Sequence, residues 1–510
     1  MLDCNLAQCG GRALGVDVNA VCRRPIIMLL SRCLLLPLLC LASAYAFQSP
    51  SVEVIRMHAP QLPSFTRRGT YLISQALEPA PTRTGAFVAG TYTGVMQFTF
   101  AAACASIIFA PVGLPLTIGI QHVLVGFVIT QTVVAKMNSV KGGVALAVPS
   151  FEVLPFFAKF AAIVAGAVGA NAQPRMVLAT VLAGSILSNI LAAGLLAVAS
   201  ELPVDQIDSL LPPPLQAGLF AAIGWSLYLL SFDTLGLDFT ASSLLTRQTA
   251  RLWVPANAFG MSLWFASRKI DSPLLIPAFI LATTTLVHGV CYFTGTSILA
   301  ARGAGWLMAE VIGEPATALW RSISPALVRW DILFSLPALK QLVCAAIFGP
   351  LVNTVLNYAL YGPMIGQKLD LKKELRSHAV GTAAAAAAGG YSNYIGLSDI
   401  AIHRKLGGLD RFSCYVVAAV GALFLCAYPL CGLVGFLPTL VIAAIMVYVG
   451  CDFLYDNLVV ATKANGAKAG LAAAAVLTVC VRKDMLSGLL LGIAGSQASM
   501  WWERRQQKTE

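Results

Sequence analysis

Charged side chains are scarce in this sequence. Asp, Glu, Lys and Arg make up 11% of the 510 residues, while 58% are apolar. Soluble domains carry about 25% charged and roughly 45–50% apolar residues. A soluble protein of this length needs a charged coat, so the deficit excludes an ordinary soluble enzyme and a disordered chain. Chemistry-bearing motifs are missing as well. There is no His/Cys/Asp cluster at metal-ligand spacing, no G-x-S-x-G and no Gly-rich phosphate loop. No resident cofactor, intramembrane enzyme or ATP drive is therefore expected. The net charge of +11 is not gathered into a basic stripe with interleaved aromatics, so no nucleic-acid partner is expected. The composition is that of a polytopic helical membrane protein, whose basic residues sit in short groups between apolar runs.

Cysteine carries little information. Five of the 13 (Cys4, Cys9, Cys22, Cys33, Cys40) fall before residue 85, and the rest lie in or beside apolar runs. They read as small buried apolar residues.

Residues 1–85 read as a leader. Arg23 and Arg24 precede the apolar run Ile26–Cys40, and Ala42-Ser43-Ala44-Tyr45-Ala46 follows as a small-x-small cleavage pattern. That is a signal peptide, with a run too short for a comfortable span. From Phe47 to Thr84 the chain is rich in Ser, Pro, Thr and Arg and holds only Glu53 and Glu78 as acids. A signal peptide followed by transit-type composition resembles the bipartite plastid presequence of algae with secondary plastids. The plastid envelope is thus one expected location. The other is an endomembrane such as the vacuole, or the plasma membrane, reached by an ordinary secretory signal.

Apolar stretches and short polar breaks alternate over 86–501, leaving 502–510 as a short tail. Helices are expected at about 86–109, 115–135, 149–165, 177–200, 213–232, 252–267 and 273–293. After a break at 294–332, a second series runs at about 335–359, 374–389, 391–403, 412–434, 436–452, 467–481 and 484–501. The fold class is all-α, with about fourteen transmembrane segments in two sevens. Lys and Arg concentrate on the side of the N-terminus, as the positive-inside rule requires. Glu201, Asp205 and Asp208 depart from that pattern, but acids count little in it.

The two shortest well-marked segments are the third of each series, and they echo one another. Gly142-Gly143 is followed nine residues later by Glu152, and Gly389-Gly390 nine residues later by Asp399, with Ser150 and Ser398 nearby. Short, glycine-interrupted segments at matching positions of two halves point to a transporter binding site. Gly-Gly permits an unwound approach, and Pro149 suits the first turn of a helix. Two half-helix N-termini near the midplane would then face one polar pocket. A carboxylate inside a membrane segment costs about 2.5–3.5 kcal/mol on insertion scales. Glu152 and Asp399 must therefore be protonated, or contact a substrate or ion, or cap a helix, or pair with a base such as Lys159. Asn353 and Asn357, four apart, share a face that either joins helices or lines the site. Tyr391, Ser392 and Asn393 open the tenth segment, with Ser392 either a ligand or an N-cap. His288 reads as a packing histidine, His403-Arg404-Lys405 as a cytoplasmic helix end, and Ala383–Ala388 as close helix packing.

These segments resemble the SulP family, the sulfate-permease-like transporters called solute carrier family 26 in animals. The likeness is carried by Leu371-Lys-Lys-Glu374-Leu-Arg-Ser-His378, by Gly389-Gly390, and by Ser398-Asp399 through His403-Arg404-Lys405-Leu406-Gly407-Gly408. Phe436-Leu437-Pro438 with Gly450, and Leu211-Pro212-Pro213-Pro214 with Gly218, extend it. Glu152-Val153-Leu154-Pro155-Phe156 and Leu397–Gly408 are similar to a divergent branch that includes fungal vacuolar members, some linked to basic amino acid uptake.

The resemblance implies a seven-plus-seven inverted repeat. A core (helices 1–4 and 8–11) would move against a gate (helices 5–7 and 12–14) like an elevator, usually in a homodimer. Substrate would lie between helices 3 and 10, flanked by 1 and 8. The implied site residues are Gln97, Phe100, Ser150, Glu152, Asn353, Asn357, Tyr391, Ser392, Ser398 and Asp399. The chain departs from the family at three places. Only nine residues follow Trp501, where most members carry a STAS domain. Asp399 stands where many members have Arg, and Phe100 where Gln is common, with Gln97 one turn earlier. An aspartate in place of arginine weakens anion binding.

The expected function is secondary active transport of an inorganic anion such as sulfate or bicarbonate, with H⁺ or Na⁺ as a coupling ion. The alternative is a cationic substrate such as a basic amino acid. A non-transporting membrane scaffold is the third reading, but a scaffold has no need of paired intramembrane carboxylates.

Overall fold

In the computed structural model the described residues are 82–169, 173–202, 212–270, 272 and 274–506, with backbone alone for 499–506. The leader through residue 81, and Asp205 and Asp208, lie outside them.

The first half runs α1 (Arg83–Phe109), α2 (Leu116–Met137), β1 (Ala147–Pro149), α3 (Leu154–Val168), α4 (Pro174–Ala199), α5 (Pro213–Thr234), α6 (Arg247–Lys269) and α7 (Leu275–Phe293). The second half runs α8 (Leu336–Met364), α9 (Leu371–Ala387), β2 (Asn393–Ile395), α10 (Leu397–Lys405), α11 (Arg411–Cys426), α12 (Thr439–Asn465), α13 (Ala467–Arg482) and α14 (Met485–Gln506). Among the described residues, seven helices are each long and apolar enough to cross a membrane. The protein is a polytopic helical membrane protein with two equivalent sevens. Short helices, including Ile298–Gly303 and Thr317–Ser322, fill the break between them.

Packing follows the inverted repeat. In the core, α2 packs on α11 as α9 packs on α4, and the equivalent helices α2 and α9 pack on each other. In the gate, α6 packs on α12 as α13 packs on α5, with α5 against its equivalent α12. Ion pairs join groups that strict alternation puts on one side. Arg268 at the end of α6 holds Asp452 and Asp456, each at 2.8 Å. Lys372 and Arg376, in the first turns of α9, hold Glu201 beyond α4 at 2.7 and 2.5 Å. Glu201 is thus neutralised by its two cationic neighbours. Those two cations hold its carboxyl down at about 2.

The third and tenth segments differ from the expected helices. Each is a three-residue strand followed by a short helix, and the strands pair antiparallel, with Ala147 opposite Ile395, Val148 opposite Tyr394 and Pro149 opposite Asn393. The helices begin only at Leu154 and Leu397. Pro149 therefore does not open a helix, and the N-cap of α10 is Gly396, not Ser392. A proline is tolerated here for a different reason. Ser150 N–H donates to the Ser392 carbonyl at 3.1 Å and Gly396 N–H to that of Leu146 at 3.0 Å. This phase makes Pro149 opposite Asn393 a non-hydrogen-bonded pair. The proline nitrogen faces the outer edge, where a missing N–H leaves no ladder bond unmade.

Candidate functional site

A sheet edge inside a membrane must have its backbone groups satisfied by protein. Side chains from the surrounding helices close both edges. Gln131 of α2 accepts from Ala147 N–H at 2.7 Å and donates to the Ala145 carbonyl at 3.1 Å. Asn357 of α8 donates to the Ile395 carbonyl at 2.6 Å, and His378 of α9 donates to that of Asn393 at 3.0 Å. Tyr361 donates to the Val144 carbonyl at 2.6 Å and Asn189 to that of Gly390 at 2.8 Å. His122 Nδ1–H donates to the Gly389 carbonyl at 2.7 Å while its Nε2 accepts from Ser185 at 2.9 Å. The two crossing strands are thus clamped from α2, α4, α8 and α9.

The glycine pairs serve two ends. Gly142, Gly143 and Gly389 hold positive φ of 82°, 78° and 77°. Gly390 instead lets the strand approach α2, since a Cβ there would lie 2.4 Å from Gly126 Cα.

Gln97, Phe100, Ser150, Glu152, Ser398 and Asp399 come together around the ends of the strands. Glu152 lies two residues before α3 and Asp399 in the first turn of α10. Glu152 is 4% exposed and accepts from Ser150 Oγ at 3.0 Å. Asp399 is half-buried and accepts from Gln97 Nε2 at 3.1 Å and from Ser398 Oγ at 3.4 Å. Phe100 stands edge-on to Phe151 with centroids 5.3 Å apart. Gln97, Phe100 and Cys104 share one face of α1, and Cys104 also lies near Glu152. Among the described residues no lysine or arginine pairs with either carboxylate. Lys159 is exposed, away from buried Glu152.

Tyr394 is the residue that sequence reasoning missed. Its hydroxyl bonds Glu152, and its side chain lies within electrostatic reach of Asp399 as well. Strand alternation puts Tyr394 and Ser392 on one face and Asn393 and Ile395 on the other, but a strand of three residues is too short to show that period in the sequence. A helical reading hid it.

Most other candidates have structural partners. Tyr391 is 1% exposed and donates to the Ser150 carbonyl at 2.9 Å. Asn353 bonds the Phe348 carbonyl of its own helix at 3.0 Å, bracing a π turn at Ile347–Asn353 that contains Pro350. Asn357, as described, holds β2. Ser392 is buried, with its Oγ unpartnered. His403 does more than mark a helix end: it is fully buried and joins Thr93 of α1 at 2.9 Å to Ser413 of α11 at 2.8 Å. His288 packs as expected, bonding the Phe436 carbonyl at 2.8 Å. The alanine run packs α9 against α4 and α2, and Ala383 and Ala386–Ala388 also line an open surface groove with Ile186, Ile190 and Trp320.

The inverted repeat of core and gate is the fold of solved transporters. The chain has the solute carrier 26 fold. The transmembrane domain of the cyanobacterial bicarbonate transporter BicA matches with a TM-score of 0.55 at 18% identity, over 78% of this chain and 96% of that domain. SLC26A9 matches with a TM-score of 0.61 at 10% identity, over 89% of this chain and 73% of that one. The murine Slc26a9 anion transporter in its inward-facing state gives 0.56 at 12%, over 89% and 77%. No protein-family model and no curated protein sequence matches the chain. Within the solute carrier 26 fold, Glu152 and Asp399 occupy the half-helix starts of the two repeats.

Proposed function

We propose that this protein is a secondary active transporter of an inorganic oxyanion such as bicarbonate or sulfate, coupled to H⁺ or Na⁺. The observation that supports it most is the convergence of the N-terminal ends of α3 and α10 on Tyr394. Helix N-termini carry partial positive charge and unpaired N–H groups, which favour an anion. In this chain each N-terminus already has a carboxylate. An anion can share that space only when Glu152 or Asp399 is neutralised, which gives a coupling cation a direct role. The core would carry this site past the gate in an elevator-like motion, in a plastid envelope or an endomembrane, as a homodimer.

One observation favours a second reading. With hydroxyl and amide partners but no basic one, the carboxylates suit a cationic substrate such as a basic amino acid. Uptake into proteoliposomes of labelled bicarbonate, sulfate and arginine, with and without proton or sodium gradients, decides. Saturable, gradient-driven anion uptake is expected. Saturable arginine uptake alone would move the assignment to the second reading, and no flux of any of the three would remove both.

A further inference from the structure

A second titratable cluster lies outside the substrate site, between α8 and α9. Glu374, Ser377 and His378 fall at i, i+3 and i+4 on one face of α9, and all three are fully buried. Tyr358 of α8, 1% exposed, meets the His378 ring edge-on with centroids 6.2 Å apart. Glu374 lies close enough to Tyr358 to act on it electrostatically. One carboxylate oxygen of Glu374 accepts from Ser139 N–H at 2.6 Å and from its hydroxyl at 2.5 Å.

The other side of this cluster is unsatisfied. Glu374 Oε2, Tyr358 Oη, Ser377 Oγ and His378 Nδ1 are all buried without a partner. Buried polar groups are seldom left so, and a shared water is the usual remedy. The histidine tautomer follows from its partner. The Asn393 carbonyl can only accept, so Nε2 carries the hydrogen and Nδ1 presents a free lone pair to the cluster. The charged and titratable groups around it are Asp370, Lys373 and Arg376 on α9, Tyr361 on α8 with Arg404 of α10 beside it, and Glu201 beyond α4 on Arg376. Neutral Ser139, just beyond α2, faces it as well.

We propose that Glu374, His378 and Tyr358 form a binding site for a coupling proton, bridged by trapped water, that acts on the substrate site through β2. A proton entering from the Ser139 side is taken up by the Glu374 carboxylate, whose second oxygen is the buried atom without a partner. No bond other than to that proton forms or breaks. Protonated Glu374 donates through the trapped water to the His378 Nδ1 lone pair. That chain of hydrogen bonds polarises the ring and strengthens its Nε2–H bond to the Asn393 carbonyl. The strand that carries Tyr394 is then held more tightly in register with β1. This rests on the transport reading above and adds a site for the coupling ion to it.

The test uses the full-length protein in proteoliposomes and compares uptake driven by an inward proton gradient with counterflow at equal pH on both sides. Tyr358→Phe removes only an unpartnered hydroxyl, and Glu374→Gln keeps the acceptor for Ser139. Both are expected to lose most of the proton-gradient stimulation while retaining counterflow. Wild-type stimulation in both variants would overturn the proposal, as would an equal loss of counterflow and stimulation in both. Wild-type anion flux without any proton stimulation would end this proposal and leave the transport reading standing. An absence of all flux in wild type would instead remove the transport reading.

Discussion

Gln97 of α1 donates to the Asp399 carboxylate of α10 at 3.1 Å, joining the first helix of one repeat to the half-helix of the other. A hydrogen bond to a charged group contributes about 1.5–3 kcal/mol. Asp399→Asn keeps the shape and removes the charge. It is expected to lower gradient-driven uptake about tenfold or more, since 1.4 kcal/mol is a factor of ten. Unchanged coupled uptake in proteoliposomes would take Asp399 out of the site.

Tyr394→Phe deletes the hydroxyl that bonds Glu152 and leaves the ring. Substrate affinity is expected to weaken by about tenfold for loss of one such bond, with the melting temperature nearly unchanged. Binding titrations and melting curves on the same preparation separate the two effects. A fall in stability with affinity intact would make Tyr394 structural.

Gly126→Ala puts a methyl 2.2 Å from the Tyr391 carbonyl oxygen, a backbone atom that cannot step aside. The variant is expected to lose about 1–3 kcal/mol of stability, as overpacked cores do. It should also lose transport, because the clash pushes β2 out of register. Thermal unfolding in detergent and uptake check both halves of this expectation.

Lys340 of the core and Asp484 of the gate lie 3.3 Å apart, at the ends of α8 and α14 opposite the N-terminal side. The proposed movement of the core against the gate would break this contact. Lys340→Glu is expected to speed labelling of buried Cys344 and Cys480 by a membrane-impermeant thiol reagent. Adding Asp484→Lys should slow it again. Labelling that ignores both substitutions would mean the pair does not latch that side.

The Glu201 carboxyl sits at about 2 against a usual 4.5, because Lys372 and Arg376 bond it. A lowered folded-state value stabilises fully above the unfolded value and is lost as pH falls toward the folded one. Wild type and Glu201→Gln should therefore differ by the same melting shift at pH 7 and at pH 6. The gap should begin to close only below about 4.5. A gap that closes already between pH 7 and 6 would place the effect elsewhere.

Much of this architecture was legible in the chain itself. Runs of apolar residues gave the fourteen segments, because burial in lipid demands continuous apolar length, and scarcity of charge made Glu152 and Asp399 conspicuous. The echo of Gly-Gly and carboxylate in two halves pointed to the two segments that pair as β1 and β2. What could not be read was their conformation. Three-residue strands leave no periodic signature, and their partners lie in the other repeat. Pro149, read locally, suits a helix start. Only the antiparallel pairing turns its nitrogen to an edge where no hydrogen bond is made, and only that pairing brings Tyr394 to Glu152. The same holds for Gln131, Asn357 and His378. Each looks like an ordinary polar residue in an apolar helix until the sheet edge it closes is in place. Composition determined that the chain lives in a membrane. Hydrogen bonds between residues hundreds of positions apart decided where its polar groups meet.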